Sequence, residues 1–112
     1  MDCIFCKIIK KEIPSKIIYE DDKILAFNDL NPIAPVHALI IPKEHISSAN
    51  DINSKNSDII GDIFSVIPKI AEKLGLNDGY RIINNCGKNG GQSVKHIHFH
   101  LVGGKELSWE NL

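Results

Sequence analysis

The sequence predicts an α+β domain, in which a five-stranded antiparallel sheet is combined with one long helix and a short N-terminal helix. Two observations predict this fold. One long segment carries apolar residues at helical spacing, and five short segments rich in apolar and β-branched residues are separated mostly by hairpin-like turns. With 112 residues and 43% hydrophobic content, the chain fits a single domain spanning 1–112 that can bury a core without disulfides.

The predicted strands are short and are bounded by turn signals. The acidic pair Asp21-Asp22 marks a hairpin between the first two, Pro42 ends the third, and a loop rich in glycine and asparagine at 85–93 joins the last two. A short helix over 3–10, apolar on one side, precedes the strands, and Pro14-Ser15 prevents it from continuing. The five strands are predicted at 17–20, 23–28, 36–41, 80–84 and 95–102.

The long helix is predicted from its periodicity and its end signals. Apolar residues from Ile59 to Leu74 recur every three or four positions, as in a helix that is buried on one side. Ser57 is the predicted N-cap, and Gly75 follows the last turn. Pro68 lies inside the helix and removes one backbone hydrogen bond, which predicts a kink there.

Charge and cysteine content exclude several classes of protein. The formal net charge is −1 with acidic and basic residues mixed, so we expect no surface for nucleic acid or for anionic membranes. No apolar stretch approaches the roughly 20 residues that span a bilayer, and the N-terminus lacks the features of a signal peptide. We therefore expect a cytoplasmic protein whose three cysteines stay reduced, with Cys86 as an inert, half-buried thiol.

The strongest functional signal is the run His96-Ile97-His98-Phe99-His100. Because side chains alternate along a strand, the three imidazoles share one face of the sheet and the apolar residues share the other. Packing three imidazoles into a core would leave ring nitrogens without partners, at about 1–3 kcal/mol for each. The pattern therefore indicates metal binding, or acid–base and nucleophilic chemistry on a phosphoryl group.

The neighbouring segment Gly90-Gly91-Gln92-Ser93 favours the phosphoryl chemistry. Its backbone N–H groups and the Ser93 hydroxyl can lie beside the histidines, where phosphate oxygens require donors. A glycine-rich turn by itself is equally typical of an ordinary hairpin connection. Its position next to three histidines is what makes it a candidate phosphate site.

With these residues the chain resembles the histidine-triad (HIT) nucleotide-binding family, whose signature is His-x-His-x-His followed by two apolar residues, here Leu101 and Val102. Further stretches at 2–14, 27–46, 74–83 and 90–104 are similar to the Hint branch of that family. Ser93 is typical of this branch, since the dinucleoside-polyphosphate branch usually carries threonine after the glutamine. The resemblance covers nearly the whole chain and implies a HIT-like fold.

The resemblance also implies catalytic roles. The middle histidine of the family attacks the α-phosphorus, so His98 is the implied nucleophile of a nucleotidyl-histidine intermediate. His100 is implied to contact the phosphate oxygens and to help manage the leaving-group proton. Ser93 is implied to hydrogen-bond the leaving nitrogen, which departs only when protonated. His96 completes the triad, and His37 matches a buried histidine that positions the nucleophile from behind.

A nucleotide pocket is implied in the same way. Asp29 matches the residue that accepts hydrogen bonds from the ribose hydroxyls, although an isolated aspartate is more often a solvated turn residue. Asn85, Gly91 and Gln92 match positions near the phosphate, beside Ser93, His98 and His100. An apolar slot with one polar edge suits a purine, although the same side chains alone are more typical of a core. The slot residues are Ile4, Phe5, Ile8, Ile13, Phe27 and Leu30.

Cys3 and Cys6 form a Cys-x-x-Cys pair that permits three interpretations. Many bacterial members of the family resemble this chain in carrying both cysteines and a histidine at the position of His45. This implies a closed tetrahedral zinc site formed by Cys3, Cys6, His45 and His96. Two reduced thiols are an alternative, and so is redox activity, although the pair does not follow a strand of a βαβ unit. We expect structural zinc and no organic cofactor.

The expected function is hydrolysis of purine nucleoside phosphoramidates, in which a P–N bond to an amine such as lysine is cleaved and the nucleoside monophosphate is released. The alternatives are a dinucleoside polyphosphate hydrolase and a nucleotide-binding scaffold with little turnover. A zinc-dependent hydrolase is disfavoured, because the four ligands would leave the metal no open position for water. The resemblance also implies a homodimer with the long helix and the strand at 80–84 in the interface, and with Trp109 near the partner's active site.

Overall fold

The computed structural model describes residues 3–111 and has an antiparallel sheet of five strands in the order β1-β2-β3-β5-β4. The predicted α+β class is confirmed. Short 3₁₀ turns lie at Ala49–Asp51 and Trp109–Asn111. The helices and strands are α1 (Ile4–Ile9), β1 (Ile17–Glu20), β2 (Ile24–Asn28), β3 (Val36–Pro42), α2 (Ser57–Lys73), β4 (Tyr80–Ile83) and β5 (Phe99–Gly103).

The alternation of side chains along the strands divides the interior into two layers. On one face of the sheet, residues such as Ile40 and Leu101 pack with the buried side of α2. On the other face, residues such as Leu39 pack with α1. In the register of β3 and β5, Leu39 lies opposite His100 while Ile40 lies opposite Phe99, so the histidine side chains point to the α1 face. The functional residues therefore share the smaller of the two layers.

Helix α2 begins one residue earlier than its predicted cap implies. Asn56 is the N-cap and Ser57 is the first helical residue, so the prediction of Ser57 as N-cap was wrong. A turn before the helix explains the difference, because the N–H groups of Asn56 and Ser57 both donate to the carbonyl of Asn53. Pro68 lies within the continuous helix, and a kink at Pro68 stays a prediction.

Helix α1 ends within one residue of its predicted end at Lys10, but Pro14 is not what ends it. Its last residue is Ile9, well before Pro14. Lys11 adopts a left-handed conformation with φ of 64°, and the N–H of Glu12 donates to the carbonyl of Lys7. This is a Schellman ending, in which the chain reverses without any need for proline.

The last strand is shorter at its start than the predicted 95–102. β5 begins at Phe99, so His96 and His98 precede it. The cause is a competing partner, since the N–H of Ile97 donates to the carbonyl of Ile46 at 2.7 Å, outside the sheet. The predicted alternation nevertheless holds, because Ile97 packs in the α2 layer while the histidines face α1. The other four strands lie within one residue of their predicted bounds.

Both helices fall short of what a bilayer requires: within residues 3–111, neither is long and apolar enough to cross a membrane. The cytoplasmic location stays a prediction.

Candidate active site

Four potential metal ligands from three parts of the chain meet beside the start of α1. Nδ1 of His96 lies 3.4 Å from Sγ of Cys3 and 3.6 Å from Sγ of Cys6. Nδ1 of His45 lies 3.3 Å from Sγ of Cys6 and 3.1 Å from Nδ1 of His96. All four ligand atoms lie within 4.8 Å of one another. The structure thus brings together the four predicted ligands, which we call the Cys/His cluster.

The spacing of the Cys/His cluster fits a tetrahedral zinc ion. With Zn–S bonds of about 2.3 Å and Zn–N bonds of about 2.0–2.1 Å, the edges of such a tetrahedron are about 3.3–3.8 Å long. Four of the six edges, at 3.1–3.6 Å, are close to these values, and all six are within 4.8 Å. Two sulfurs and two nitrogens would fill all four positions, which is the arrangement of a structural site rather than a catalytic one.

His96 is oriented toward this cluster by a backbone carbonyl. Its Nε2 lies 2.8 Å from the carbonyl oxygen of Pro42. Because a carbonyl only accepts, Nε2 carries the proton and Nδ1 presents its lone pair to the cysteines. Burial lowers the pKa of His96, so the ring is a neutral imidazole, as a metal ligand must be.

His98, two residues on, has the opposite tautomer. Its Nδ1 lies 2.8 Å from the carbonyl oxygen of His96, so Nδ1 carries the proton and Nε2 carries the lone pair. The side chain as a whole is buried, with the ring of Phe5 packed edge-on at 5.2 Å. Every fully buried side-chain nitrogen of the described residues has a hydrogen-bond partner. Nε2 of His98 has no such partner among these residues, so this atom is partly exposed. In this tautomer Nε2 is the ring nitrogen that carries the lone pair, as a nucleophile requires.

His100 is held by His37 from behind. Nδ1 of His37 accepts from the N–H of Ile33 at 3.1 Å, which puts its proton on Nε2. That Nε2 donates to Nδ1 of His100 at 2.8 Å and lies 3.4 Å from Oδ2 of Asp29. His100 therefore carries its own proton on Nε2, and its ring centroid lies 5.1 Å from that of His98. We call Asp29, His37, His98 and His100 the histidine network.

Burial sets the protonation state of this network. It lowers the pKa of His100 to about 4, and the neighbouring His98 and His37 act in the same direction against Asp29. Burial also lowers the pKa of His37, again opposed by Asp29. Both rings are therefore neutral at pH 7, and each of them still has one N–H to donate.

The loop at 85–93 is organised by the two amide side chains that were predicted near the phosphate. Nδ2 of Asn85 donates to the carbonyl of Gly90 at 2.8 Å. Oε1 of Gln92 accepts from the N–H of Gly87 at 2.9 Å, and its Nε2 donates to the carbonyl of Ser47 at 2.7 Å. Both amides thus hold the loop in shape, and their contact with a phosphate stays a prediction.

Two glycines in this loop cannot be replaced without strain. Gly91 has φ of 81°, in the left-handed region that side chains disfavour. A Cβ on Gly90 would lie 2.4 Å from the carbonyl oxygen of Cys86. The chain therefore turns tightly just before Ser93, which is exposed at the end of the loop.

The apolar residues of the predicted base slot divide into buried and exposed groups. The ring of Phe5 packs edge-on against Phe27 at 5.5 Å as well as against His98. Ile4 and Leu30 are 47% and 92% exposed, so they can contact a ligand. Contact of any of the six with a base stays a prediction. The residues that pack together beneath are Phe5, Ile8, Phe27 and, partly buried, Ile13.

Comparison with known proteins identifies the family. A model described as "HIT domain" matches residues 10–107. The chain belongs to the HIT domain family. It is 57% identical to a histidine triad protein from Clostridium difficile, with a TM-score of 0.93 over 96% of this chain and 95% of that one. A HIT family hydrolase from Legionella pneumophila is 47% identical, with a TM-score of 0.93 over 96% and 97% of the two chains. A "14 kDa zinc-binding protein" from Zea mays is 49% identical over 95% of this chain and 84% of its own length.

In this HIT protein the site also depends on residues that the sequence did not single out. Nδ2 of Asn84 donates to the carbonyl of His98 at 2.9 Å and so fixes the backbone of that residue. Its position as a polar residue directly after β4 is the one signal that could have indicated it. The Ile33 N–H and the Pro42 carbonyl are backbone groups, and their identity as partners leaves no mark in the sequence.

Proposed function

We propose that this HIT protein is a purine nucleoside phosphoramidase that cleaves P–N bonds at the α-phosphate and releases a nucleoside monophosphate. The membership in a family with hydrolases supports a hydrolytic role. The observation that carries the proposal is the tautomer of His98, since the hydrogen bond from Nδ1 to the His96 carbonyl leaves the Nε2 lone pair accessible.

In the first step, Nε2 of His98 attacks the α-phosphorus and the P–N bond breaks. The electron pair of that bond goes to the leaving nitrogen, which takes up one proton from solvent through the Ser93 hydroxyl and departs as the amine. The His98 ring becomes a cation, and its Nδ1–H continues to donate to the His96 carbonyl, whose partial negative charge stabilises it. Nε2–H of His100 donates to a phosphate oxygen.

In the second step, water attacks the phosphorus of the nucleotidyl-histidine. The bond to Nε2 breaks, its electron pair returns to the ring, and the water loses one proton to solvent. One water is consumed overall, and His98 is regenerated with its proton still on Nδ1. Because the pKa of His100 is lowered to about 4, His100 acts throughout as a neutral donor.

The nucleotide is positioned on the α1 side of the network. Asp29 is half-buried, with Oδ1 accepting from the N–H of Asn31 at 2.8 Å, and it accepts from the ribose hydroxyls. The base lies against the apolar residues at Phe5 and Phe27, with exposed Leu30 closing over it. The phosphate lies at the end of the glycine-rich loop, where Ser93 supplies a donor. The N–H groups of Gly91 and Gln92 donate to the carbonyls of Lys88 and Gly87 and so shape the loop around it.

Zinc is the metal that we propose for the Cys/His cluster. When bound, it ties the N-terminal helix to the segments that carry His45 and His96. The four edges of 3.1–3.6 Å and the closed set of two sulfurs and two nitrogens support this assignment. His96 thereby acts as a structural ligand, while its carbonyl orients His98.

A homodimer is also part of the proposal. Phe64 on α2 and Tyr80 and Ile82 on β4 are 46%, 38% and 37% exposed, although all are large and apolar. β4 lies at an edge of the sheet, and its unpaired backbone groups can bond to a second copy of the strand. Analytical ultracentrifugation tests this, and a monomer at working concentration would contradict it.

The decisive experiment compares hydrolysis of an adenosine phosphoramidate by the wild type and by His98→Ala. We expect the wild type to turn over and the variant to lose at least about 10³-fold in kcat, about 4 kcal/mol, while it still binds AMP. Denaturation at alkaline pH during turnover, followed by mass spectrometry, should find the nucleotidyl group on His98. Ser93→Ala should slow release of poor leaving amines, whereas Ser65→Ala, on the opposite helix, serves as the matched control.

Other outcomes of this experiment point to other functions. Cleavage of dinucleoside polyphosphates at a higher kcat/KM than phosphoramidates would favour the polyphosphate hydrolase. AMP binding without turnover of either substrate would favour the nucleotide-binding scaffold.

A further inference from the structure

A groove of about 490 Å³ lies between the Cys/His cluster and the end of the phosphate loop. Cys3 and His45 of the cluster form one wall, and Ser93 forms part of the other. Phe5, Phe27 and Asp29, which the proposed function assigns to the nucleoside, are not among its lining residues. The groove therefore lies beside the nucleoside pocket. It shares Ile4 with the predicted base slot and Ser93 with the reaction site.

The position of the groove matches the side from which the amine departs. In an in-line displacement the leaving group lies opposite the nucleophile, and Ser93 hydrogen-bonds the leaving nitrogen in the proposed reaction. A substituent on that nitrogen therefore extends from Ser93, and the groove begins at this residue.

The walls of the groove are held by contacts outside it. The Ser47 carbonyl accepts from Gln92 at 2.7 Å, and the Ile46 carbonyl accepts from Ile97 at 2.7 Å. Lys95 directly precedes His96, whose ring is fully buried and bonded to Pro42. The groove is thus formed before any ligand enters, which reduces the entropy lost on binding.

The chemistry of the lining is asymmetric. Ile4 and Val94 are apolar, and Ser47 and Ser93 are neutral hydroxyls. Lys95 is the cation of the lining, which contains no carboxylate. Lys95 is exposed, and none of the acidic side chains of residues 3–111 forms an ion pair with it. The ammonium group is therefore available to an anion on the ligand.

We propose that this groove is the leaving-group subsite and that Lys95 selects amines that carry a carboxylate. The substrate class is an amino acid joined through its α-nitrogen to the nucleotide phosphate, with an apolar side chain against Ile4 and Val94. This inference rests on the proposed phosphoramidase function and deepens it. A solvent-exposed ion pair changes specificity modestly, so the expected preference is about fivefold in kcat/KM.

Three adenosine phosphoramidates test the proposal: those of phenylalanine, of phenylalanine methyl ester, and of lysine methyl ester linked through its α-nitrogen. The wild type should prefer phenylalanine over its ester about fivefold, and the cationic lysine ester should be the poorest. Lys95→Gln should bring the kcat/KM ratio of the phenylalanine substrate to its methyl ester close to one, and Lys95→Glu should make the ester the better substrate. Lys55→Gln, near α2 on the other side of the sheet, makes the same charge change and should keep the wild-type ratio.

Some results would overturn only the subsite assignment, and another would overturn the proposed function as well. If the wild type hydrolyses all three substrates at equal kcat/KM, or if Lys95→Gln keeps the preference, the subsite assignment is wrong while the phosphoramidase function stands. If the folded wild type binds AMP but cleaves none of the three, the proposed function itself fails and the inference fails with it. AMP affinity should be unchanged in every Lys95 variant, since Lys95 is not among the residues assigned to the nucleoside or the phosphate.

Discussion

His96 and His98 are the same residue type, two positions apart and on the same side of the chain, yet their proposed roles differ. His96 donates from Nε2 to the Pro42 carbonyl and turns Nδ1 toward two cysteines. His98 donates from Nδ1 to the His96 carbonyl and leaves Nε2 at the surface. The ring nitrogen that meets a backbone carbonyl thus decides which nitrogen remains for chemistry. One carbonyl produces a metal ligand and another produces a candidate nucleophile.

The two regions built around these residues differ in the same way. The Cys/His cluster has four donor atoms that point at one another, and it suits a cation that holds them together. In the histidine network the rings are oriented by single hydrogen bonds. His37 donates to His100, and His98 donates to the backbone carbonyl of His96, which lies outside the network. We therefore expect changes in the cluster to affect mainly stability and changes in the network to affect mainly turnover.

The largest expected effect is the loss of metal from the cluster. Cys6→Ser should abolish stoichiometric zinc and lower the free energy of unfolding by about 2.7 kcal/mol if zinc is present at 100 times its Kd. For a domain of this size that corresponds to a decrease in Tm of roughly 10–20 °C. Elemental analysis and calorimetry measure the two quantities. Cys86→Ser, which removes a thiol outside the cluster, should keep both, and a Cys6→Ser protein with full zinc and unchanged Tm would contradict the assignment.

The next effect concerns His37, which we place as a positioning residue. His37→Phe removes the donor to His100 and leaves the Ile33 N–H without its acceptor. We expect kcat to decrease by about 10- to 100-fold, equivalent to about 1.4–2.7 kcal/mol, with a smaller change in KM. A merely structural role would leave the His100 tautomer unchanged. Nitrogen-15 NMR of the His100 ring should instead show its proton distributed between both nitrogens.

The pH dependence of stability tests the lowered pKa of His100 in the histidine network. The pKa of His100 is lowered from 6.5 to about 4 in the folded protein. Between these values the unfolded chain takes up a proton that the folded chain does not, so the free energy of unfolding decreases as the pH falls from 6.5 toward 4. NMR titration should find His100 neutral at pH 5, and His100→Asn should flatten the decrease. A His100 pKa near 6.5 would show that burial does not control this ring.

The smallest effect is expected at the loop that connects the two regions. Gln92→Ala removes hydrogen bonds to Gly87 and Ser47 and should raise KM about fivefold, or about 1 kcal/mol, with little change in zinc content. Steady-state kinetics measures it. Asn89→Ala in the same loop, where the structure describes no side-chain hydrogen bond for the residue, is the matched control. Equal KM values for the two variants would mean that Gln92 does not shape the phosphate loop.

Much of the fold could be predicted because its signals are local. The alternation of Ile97 and Phe99 with the histidines anticipated the two layers even though β5 begins only at Phe99. The boundaries that were wrong depend on competing partners. The Ile46 carbonyl removes Ile97 from the strand, and the Asn53 carbonyl shifts the start of α2. When a backbone N–H bonds to a carbonyl elsewhere in the chain, the segment that carries the N–H has no sequence signal of that bond.

The sequence by itself determined the residue types, their order and their periodicity. From these came the α+β class, the shared face of the histidines, and the resemblance that assigned their roles. The tertiary structure alone decided which groups meet. Cys3 contacts His96 across 93 positions, and the tautomers of His96 and His98 depend on carbonyls that only folding brings within 2.8 Å. The physical reason is that an imidazole has two nearly equivalent nitrogens, and its choice between them is made by its neighbours in space.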